Sequence, residues 1–340
     1  MTSVALAFAF ALITTPPPPQ VKDVPPTQAN VKTAVEKSLP LLWKGVEGHS
    51  AKRTCFTCHN HAVPLLAITT ADARGFPADR KKLDEQTAFI TDHFEGMRDR
   101  LEKGNGPGPG PVGGGVDNTG YALFALDLLG VKPSKTTDAI ARYTLGADEK
   151  RDHWPTRGTR PPSEASDITT TAFAVRGLRT FTPQDNARTG DERMTAARKW
   201  LVSVKTKDTE DRVFRLLGLH ASGASADEVS AAAKDLLATQ EKDGGWSQND
   251  RRFSDAYATG SALYALHTAG KVKADDPAFT RGLTFLLGTQ LDDGSWHVRT
   301  RSRPVQTYFE SGFPHGKDQF ISCAATGWAI AALALACEKK

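Results

Sequence analysis

Two stretches in the C-terminal third of the chain repeat each other, and they constrain the fold more than any other feature. The first is Arg281-Gly-Leu-Thr-Phe-Leu-Leu-Gly-Thr-Gln-Leu-Asp-Asp-Gly-Ser-Trp296. The second, weaker copy is Lys234-Asp-Leu-Leu-Ala-Thr-Gln-Glu-Lys-Asp-Gly-Gly-Trp246. Each reads as an amphipathic helix closed by Gln, then an Asp-Gly turn, then Trp. After a loop, each is followed by a more apolar helix, at 255–266 and 318–333. A unit repeated at this spacing is one supersecondary element that cannot bury its apolar face alone, so neighbouring copies must stack.

Periodicity extends the pattern over the chain. Outer helices are expected near 31–47, 83–103, 134–147, 189–205, 226–240 and 276–290. Inner helices are expected near 59–73, 118–130, 168–181, 211–222, 255–269 and 318–337. The inner set is rich in Ala, Gly, Leu and Thr, as helices crowded around a core should be. The outer set carries Lys, Arg, Asp and Glu along one face. Strand signals are nearly absent, so the fold class is all-α. Six hairpins of about 50 residues each close into an (α/α)6 barrel; a four-pair open solenoid is the runner-up.

The motif Gln-x-x-Asp-Gly-x-Trp after an apolar helix resembles the repeat of squalene–hopene cyclases and protein prenyltransferase β subunits. Two copies match well and weaker traces cover residues 31–338. The resemblance implies an α/α toroid, and points especially to bacterial secreted members that join these repeats to a Cys-x-x-Cys-His loop. It says less about activity, because function resides in sites rather than folds.

The domain order expected is a signal peptide at 1–15, a Pro-rich linker at 16–30 and the toroid at 31–338. Residues 4–13 are apolar, too short to span a bilayer and placed where a signal-peptide core belongs, although no Lys or Arg precedes them. A periplasmic or secreted location follows, with no membrane span after signal removal. Lys and Arg total 43 against 39 Asp and Glu, a net charge of +4 that does not call for nucleic acid. Cys323 and Cys337 would lie roughly 21 Å apart on one helix, too far for a disulfide, and read as small buried apolar residues.

In such a barrel every outer-to-inner loop lies at one end. Here those loops are the long ones, at 49–58, 104–116, 151–166, 247–254 and 297–317. Long loops in a compact domain carry function, and the inner-helix N-termini beside them favour an anion. Cys55-Phe-Thr-Cys58-His59 lies in the first. Cys-x-x-Cys-His is the attachment motif of c-type haem: Cys55 and Cys58 would bond the porphyrin and His59 the iron. Zinc on the same cysteines and a His, or a redox or structural cysteine pair, are the alternatives. His61 is too close to His59 to face it across a metal. Of the loop histidines His153, His297 and His315, the last is preferred as second axial ligand, because it precedes the final inner helix, which closes the ring beside the first.

Arginines crowd the same end. Trp154-Pro-Thr-Arg157-Gly-Thr-Arg160 and Trp296-His-Val-Arg299-Thr-Arg301-Ser-Arg303 look like two versions of one loop, with Arg251 and Arg252 between them. Arg160 and Arg303 are candidates for holding a carboxylate or phosphate; the alternative is that the arginines brace loops. Asp117, Asp167, Asp211, Asp255 and Asp318 each start an inner helix, where the plain reading is N-capping.

The resemblance implies a second role for acids here. Triterpene cyclases protonate an alkene with the middle acid of Asp-x-Asp-Asp, and this chain offers Asp208-Thr-Glu210-Asp211. That casts Glu210 as the acid, with Asp211, Asp255 and Asp318 as further catalytic candidates. Glu replaces Asp, and Arg212 follows, which beside the donor would stabilise its carboxylate. Prenyltransferase chemistry needs Asp-x-Cys, which is absent, as is the Cys-Gly-Glu-Gln of thioester proteins. A glycosidase or lyase would need a carboxylate pair drawn from Glu164, Asp167, Glu310 and Asp318. Two functions are therefore expected: first a haem-bearing redox or ligand-binding module with a redox partner protein, second a cyclase, lyase or hydrolase acting on an anionic or isoprenoid molecule in the barrel.

Overall fold

The computed structural model describes residues 20–108 and 114–338. The expected signal peptide, the first part of the linker and the centre of the Gly/Pro-rich stretch at 104–115 lie outside the described residues. Outer helices are α1 (Gln28–Ser50), α3 (Arg80–Glu95) with the short α4 (Arg98–Glu102), α6 (Lys135–Gly146), α8 (Ala187–Ser203), α10 (Ala226–Leu237) and α12 (Pro277–Thr289). Inner helices are α2 (Val63–Asp72), entered through a π-helical turn at Cys58–Ala62, α5 (Gly115–Leu128), α7 (Asp167–Phe181), α9 (Thr209–Ala221), α11 (Ala256–Thr268) and α13 (Gln319–Ala336). No strand occurs among the described residues; isolated bridges at Arg160–Glu164 and Ser247–Ser254 pinch two of the long loops.

The inner helices touch in the order α2–α5–α7–α9–α11–α13, and α13 packs back on α2, so the ring is closed. The outer helices alternate with them: α6 lies on α5 and α7, α8 on α7 and α9, α10 on α9 and α11, and α12 on α11 and α13. This is an (α/α)6 toroid, not an open solenoid. The expected helix ends fall within three residues of the observed ones, with one exception. The single helix expected at 83–103 breaks after Glu95, because Gly96 caps α3 and Met97 leaves helical geometry. Sequence also sets other ends: Ser134 and Ser225 form reciprocal capping boxes with Thr137 and Glu228, and Asp276 caps a helix that begins with Pro277. α13 is long and apolar enough to cross a membrane, yet it is buried as a wall of the ring. Gly260 lets α11 approach it, since a Cβ there would meet the backbone of Trp328 and Ala329 at 2.6 Å.

The repeated tryptophans brace each hairpin internally. Indole Nε1 of Trp154, Trp246 and Trp296 donates to the carbonyls of Thr144, Leu236 and Leu286, at 2.7, 3.1 and 2.9 Å. Each acceptor lies in the last turns of the hairpin's own outer helix, where the regular ladder runs out of donors; Leu236 also accepts from Thr239, and Leu286 from the Thr289 hydroxyl. The backbone N–H of each Trp then donates to a threonine hydroxyl of the following inner helix: Thr171, Thr259 or Thr326. All three indoles are buried to 1 % exposure or less. The repeat glutamines link one hairpin to the next: Gln240 Nε2 donates to Ala278 of α12, and Gln290 Nε2 donates to Ala34 and Ser38 of α1. The last hairpin is thereby tied to the first. The Asp-Gly turns need the left-handed backbone of Gly244 (φ 86°) and Gly294 (φ 90°).

Trp296→Phe keeps a buried ring but removes the indole donor, leaving the Leu286 carbonyl only the Thr289 hydroxyl at 3.3 Å. It should cost about 1 kcal/mol of unfolding free energy in urea titrations; a variant as stable as the parent would show the indole bond to be dispensable.

Candidate functional site

The long loops meet at the inner-helix N-terminal end. The Ser302 hydroxyl donates to the Pro161 carbonyl, and Arg53 donates to Thr307 O while its guanidinium lies 4.3 Å from the Phe309 ring centre. Beneath them a buried polar cluster projects from five parts of the ring: Cys58, Tyr121 of α5, Glu164, Glu210 of α9 and Tyr257 of α11. The Cys58 thiol donates to Glu164 Oε1 at 2.9 Å, Glu164 pairs with Arg160, and the Tyr121 hydroxyl donates to the Ser163 carbonyl at 3.1 Å. Tyr257 donates to Glu210 Oε1 at 3.3 Å, with the Thr169 hydroxyl at 3.5 Å. Burial raises both tyrosines well above their usual range, and the nearby acids and Cys58 add to it.

Glu210 differs from its neighbours in what it lacks. Asp208 caps α9 by accepting from Asp211 N, and Asp211 accepts from the Ser166 hydroxyl and from Lys207 N, at 2.5 and 2.8 Å. Both have structural duties. Glu210 is 4 % exposed, and its Oε2 has no hydrogen-bond partner among the described residues. Burial, then the charges of Asp208 and Asp211, push its carboxyl well above the usual carboxylate range. The helix N-terminus favours the anion by at most about 2 kcal/mol. Burying an unpaired charge costs several kcal/mol, so the neutral acid wins. Glu210 also forms part of the wall of a cavity of about 360 Å³, together with Pro161, Pro162, Trp200, Asp208 and Arg301. Arg212 does not oppose it in the way the sequence suggested: its side chain donates to Asp208 O and pairs with Asp235 of α10, on the outer side.

The cysteine motif is arranged differently from a free loop. Cys58 is 3 % exposed and engaged by Glu164, while the partly exposed Cys55 has its sulfur 3.8 Å from His49 Nε2. The His59 ring meets the edge of Phe320, its Nδ1 lies 3.4 Å from Cys58 Sγ, and its Nε2 is enclosed without a partner. Burial, then the charge of Arg160, drives His59 well below the usual imidazole range, so it is neutral. A porphyrin bonded to both sulfurs needs them on one open face, and here they face different partners. The donor set suits haem; the burial of Cys58 against Glu164, apart from the partly exposed Cys55, does not. His315 is not brought to His59: it accepts or donates at Ser295 Oγ (2.8 Å) and stacks on His297. Among the described residues no group of three or more His, Cys, Asp or Glu side chains is gathered as a metal site.

The remaining candidates separate. Asp255 caps α11 through Ala258 N and is held by Gln248, whereas Asp318 accepts from Thr300 N and His297 and so fastens the last long loop. Asp117 likewise holds the Arg157 and Gly158 amides, and Asp167 the Thr156 amide; Ser166, not Asp167, caps α7. Arg160 joins the buried cluster, but Arg303 is exposed and it is Arg301 that faces the cavity. Glu310 is exposed and bound to Tyr308, away from buried Glu164, so the four carboxylates named for a glycosidase pair do not converge. Sequence reading missed Tyr121 and Tyr257. The available signal was position: each lies in the first turns of an inner helix, on the face that the ring encloses.

Residues 176–340 match the squalene–hopene cyclase C-terminal domain. The chain is 32% identical over 136 residues to the squalene–hopene cyclase of Bradyrhizobium diazoefficiens, covering 34% of this chain and 19% of that one. It is 29% identical over 232 residues to the drimenyl diphosphate synthase of Streptomyces showdoensis, covering 62% and 40%. The matches thus span about a fifth and two fifths of these relatives. In fold it is similar to the type II terpene cyclase MstE from Scytonema, with TM-score 0.54, 13% identity, and 91% of this chain and 98% of that one covered. It is also similar to the unsaturated glucuronyl hydrolase of Bacillus sp. GL1, with TM-score 0.51, 11% identity, and coverage of 89% and 96%.

Proposed function

We propose that this toroid is an enzyme that starts its reaction by proton transfer from Glu210 to an alkene, in the manner of a terpenoid cyclase. The observation that carries this reading is a buried carboxyl, raised well above the usual carboxylate range and with one unpartnered oxygen, on a residue in the wall of a cavity. Support comes from the likeness of residues 176–340 to the squalene–hopene cyclase C-terminal domain, which includes Asp208-Thr-Glu210-Asp211. In the first step the Glu210 Oε2 proton would pass to an alkene carbon, leaving a carbocation on the substrate and a carboxylate on Glu210. Tyr257, bound to Oε1, holds the carboxyl in place and stabilises the carboxylate formed. Loss of a proton from the substrate to Glu210 would close the cycle. Arg301, beside Glu210, suits a substrate with an anionic group.

The test is turnover of farnesyl diphosphate, squalene and an unsaturated acidic disaccharide, with products read by mass spectrometry. A general acid contributes about 10²–10⁴-fold, so Glu210→Gln should lower kcat by at least about 100-fold with the fold intact. Activity needs the protonated form. Since the carboxyl is raised in the fold, the rate should hold at acid and neutral pH and fall as pH rises through that raised value. Equal rates in parent and E210Q on every substrate turned over would refute the assignment.

A second reading rests on His59, whose enclosed Nε2 lacks the partner that an iron would supply. In it, export through residues 1–15 precedes covalent haem attachment at Cys55 and Cys58, and the group would supply electron transfer to a redox partner. The loop at 51–58 would have to open to turn both sulfurs to one face. Protein exported from a host with cytochrome c maturation should then show a haem-stained band on a denaturing gel, lost in C55S/C58S. A colourless, folded product would remove this reading.

A further inference from the structure

The opposite end of the barrel holds a second cavity that the Glu210 chemistry does not use. Across the middle of the ring runs a layer of aromatic rings: Phe124 to Phe173 at 5.1 Å between centres, Phe173 to Phe214 at 4.9 Å, Phe214 to Trp328 at 6.2 Å, and Trp328 to Tyr264 at 5.4 Å. They come from α5, α7, α9, α13 and α11 in turn. Glu210 lies at the N-terminal end of α9, on one side of this layer. On the other side is a cavity of about 270 Å³, walled by the layer and rimmed by Arg176, Arg179, His220 and Asp127.

The lining sets the chemistry of a ligand. Its floor is aromatic, so it suits a flat apolar body. An engineered cavity of about 150 Å³ takes one benzene, so this one takes a ring with a short side chain. The rim is cationic. Arg176 lies over Phe124 at 4.8 Å, gives Nη2 to Asp127 at 3.3 Å and meets the Tyr264 hydroxyl; its Nε has no acceptor among the described residues. Arg179 gives one N–H to the Ala221 carbonyl. Burial, then the charges of Arg179, Lys271 and Arg176, depress His220, which is therefore neutral and adds no charge of its own. The inner-helix C-termini at this end and Asp127 oppose an anion. Two guanidinium groups with unused donors outweigh them, because a charged, directed hydrogen bond is stronger than the end of a helix dipole.

We infer that this mouth is a separate binding site for a small aromatic monocarboxylate, with its ring on the Phe173–Phe214–Trp328 layer and its carboxylate on Arg176 and Arg179. The inference does not depend on the role given to Glu210.

Calorimetric titration of the full chain with cinnamate, and with cinnamamide as its neutral isostere, tests this directly. Cinnamate should bind once per chain and about tenfold or more tighter than cinnamamide. Arg176→Met should remove that preference, leaving cinnamamide binding as it was. Leu217→Trp, which fills the cavity, should weaken both, and Glu210→Gln should change neither. Thermal melts of each variant identify any loss of fold, and the comparison of the two ligands on the parent protein stands without them. No saturable binding by the parent, or equal affinity for the two ligands, would overturn the site. Loss of binding in E210Q would place the ligand in the other compartment and overturn it as well.

Discussion

The closed ring depends on one repeated contact, the buried indole that joins the two helices of its own hairpin. A helix ends with carbonyls that have no partner, and burying them unpaired would cost about 1–3 kcal/mol each. Trp154, Trp246 and Trp296 each give such a carbonyl an Nε1 donor, alone at Thr144 and beside a threonine at Leu236 and Leu286, and each engages a threonine of the next inner helix with its backbone N–H. Gln240 and Gln290 add the step between hairpins. The bond from Gln290 to Ala34 and Ser38 spans most of the sequence and converts a stack into a circle.

A closed ring of inner helices has two ends that are chemically unlike. At the N-terminal end, long loops pile up and leave polar side chains enclosed beneath them. There Glu210 is buried beside Asp208 and Asp211 with no ion pair of its own, which raises its carboxyl well above the usual carboxylate range. At the C-terminal end the connections are short, and the aromatic layer is reached from solvent past arginines. The ring layer walls the cavity at this end, whereas the cavity beside Glu210 is walled by loop residues and by Trp200. The layer gives a flat molecule somewhere to stack on the arginine side.

The architecture was legible because it is written in spacing. Gln, Asp-Gly and Trp recur at fixed offsets, and helical periodicity located nearly every element. The Trp154 brace was half visible, as a loop resembling that of Trp296, but it lacks the Gln and Asp-Gly that flag the other two. The site was less legible, because it is assembled from side chains distant in sequence. Cys58 and Glu164 meet only because the ring closes, and no spacing forecasts that a thiol will be covered by a carboxylate. The inner-helix acids looked alike in sequence, yet Asp255 caps a helix, Asp117, Asp167 and Asp318 fasten loops, and Asp211 is held by Ser166. Glu210 is about as buried as Asp117 and Asp211, and what distinguishes it is an oxygen left without a hydrogen-bond partner, which depends on how the whole ring packs around it. Arg212 shows the same limit, since adjacency in sequence placed it beside the acid whereas the helix turns it outward.

Whether Glu210 carries its proton at neutral pH is the central claim, and infrared difference spectroscopy measures it most directly. The parent protein at pH 7 should show the carbonyl stretch of a protonated, buried carboxyl that is missing from E210Q and that fades only as pH is raised. Identical spectra for the two proteins at pH 7, with Glu210 absorbing as a carboxylate, would contradict it and remove the basis for proton-initiated chemistry in this ring.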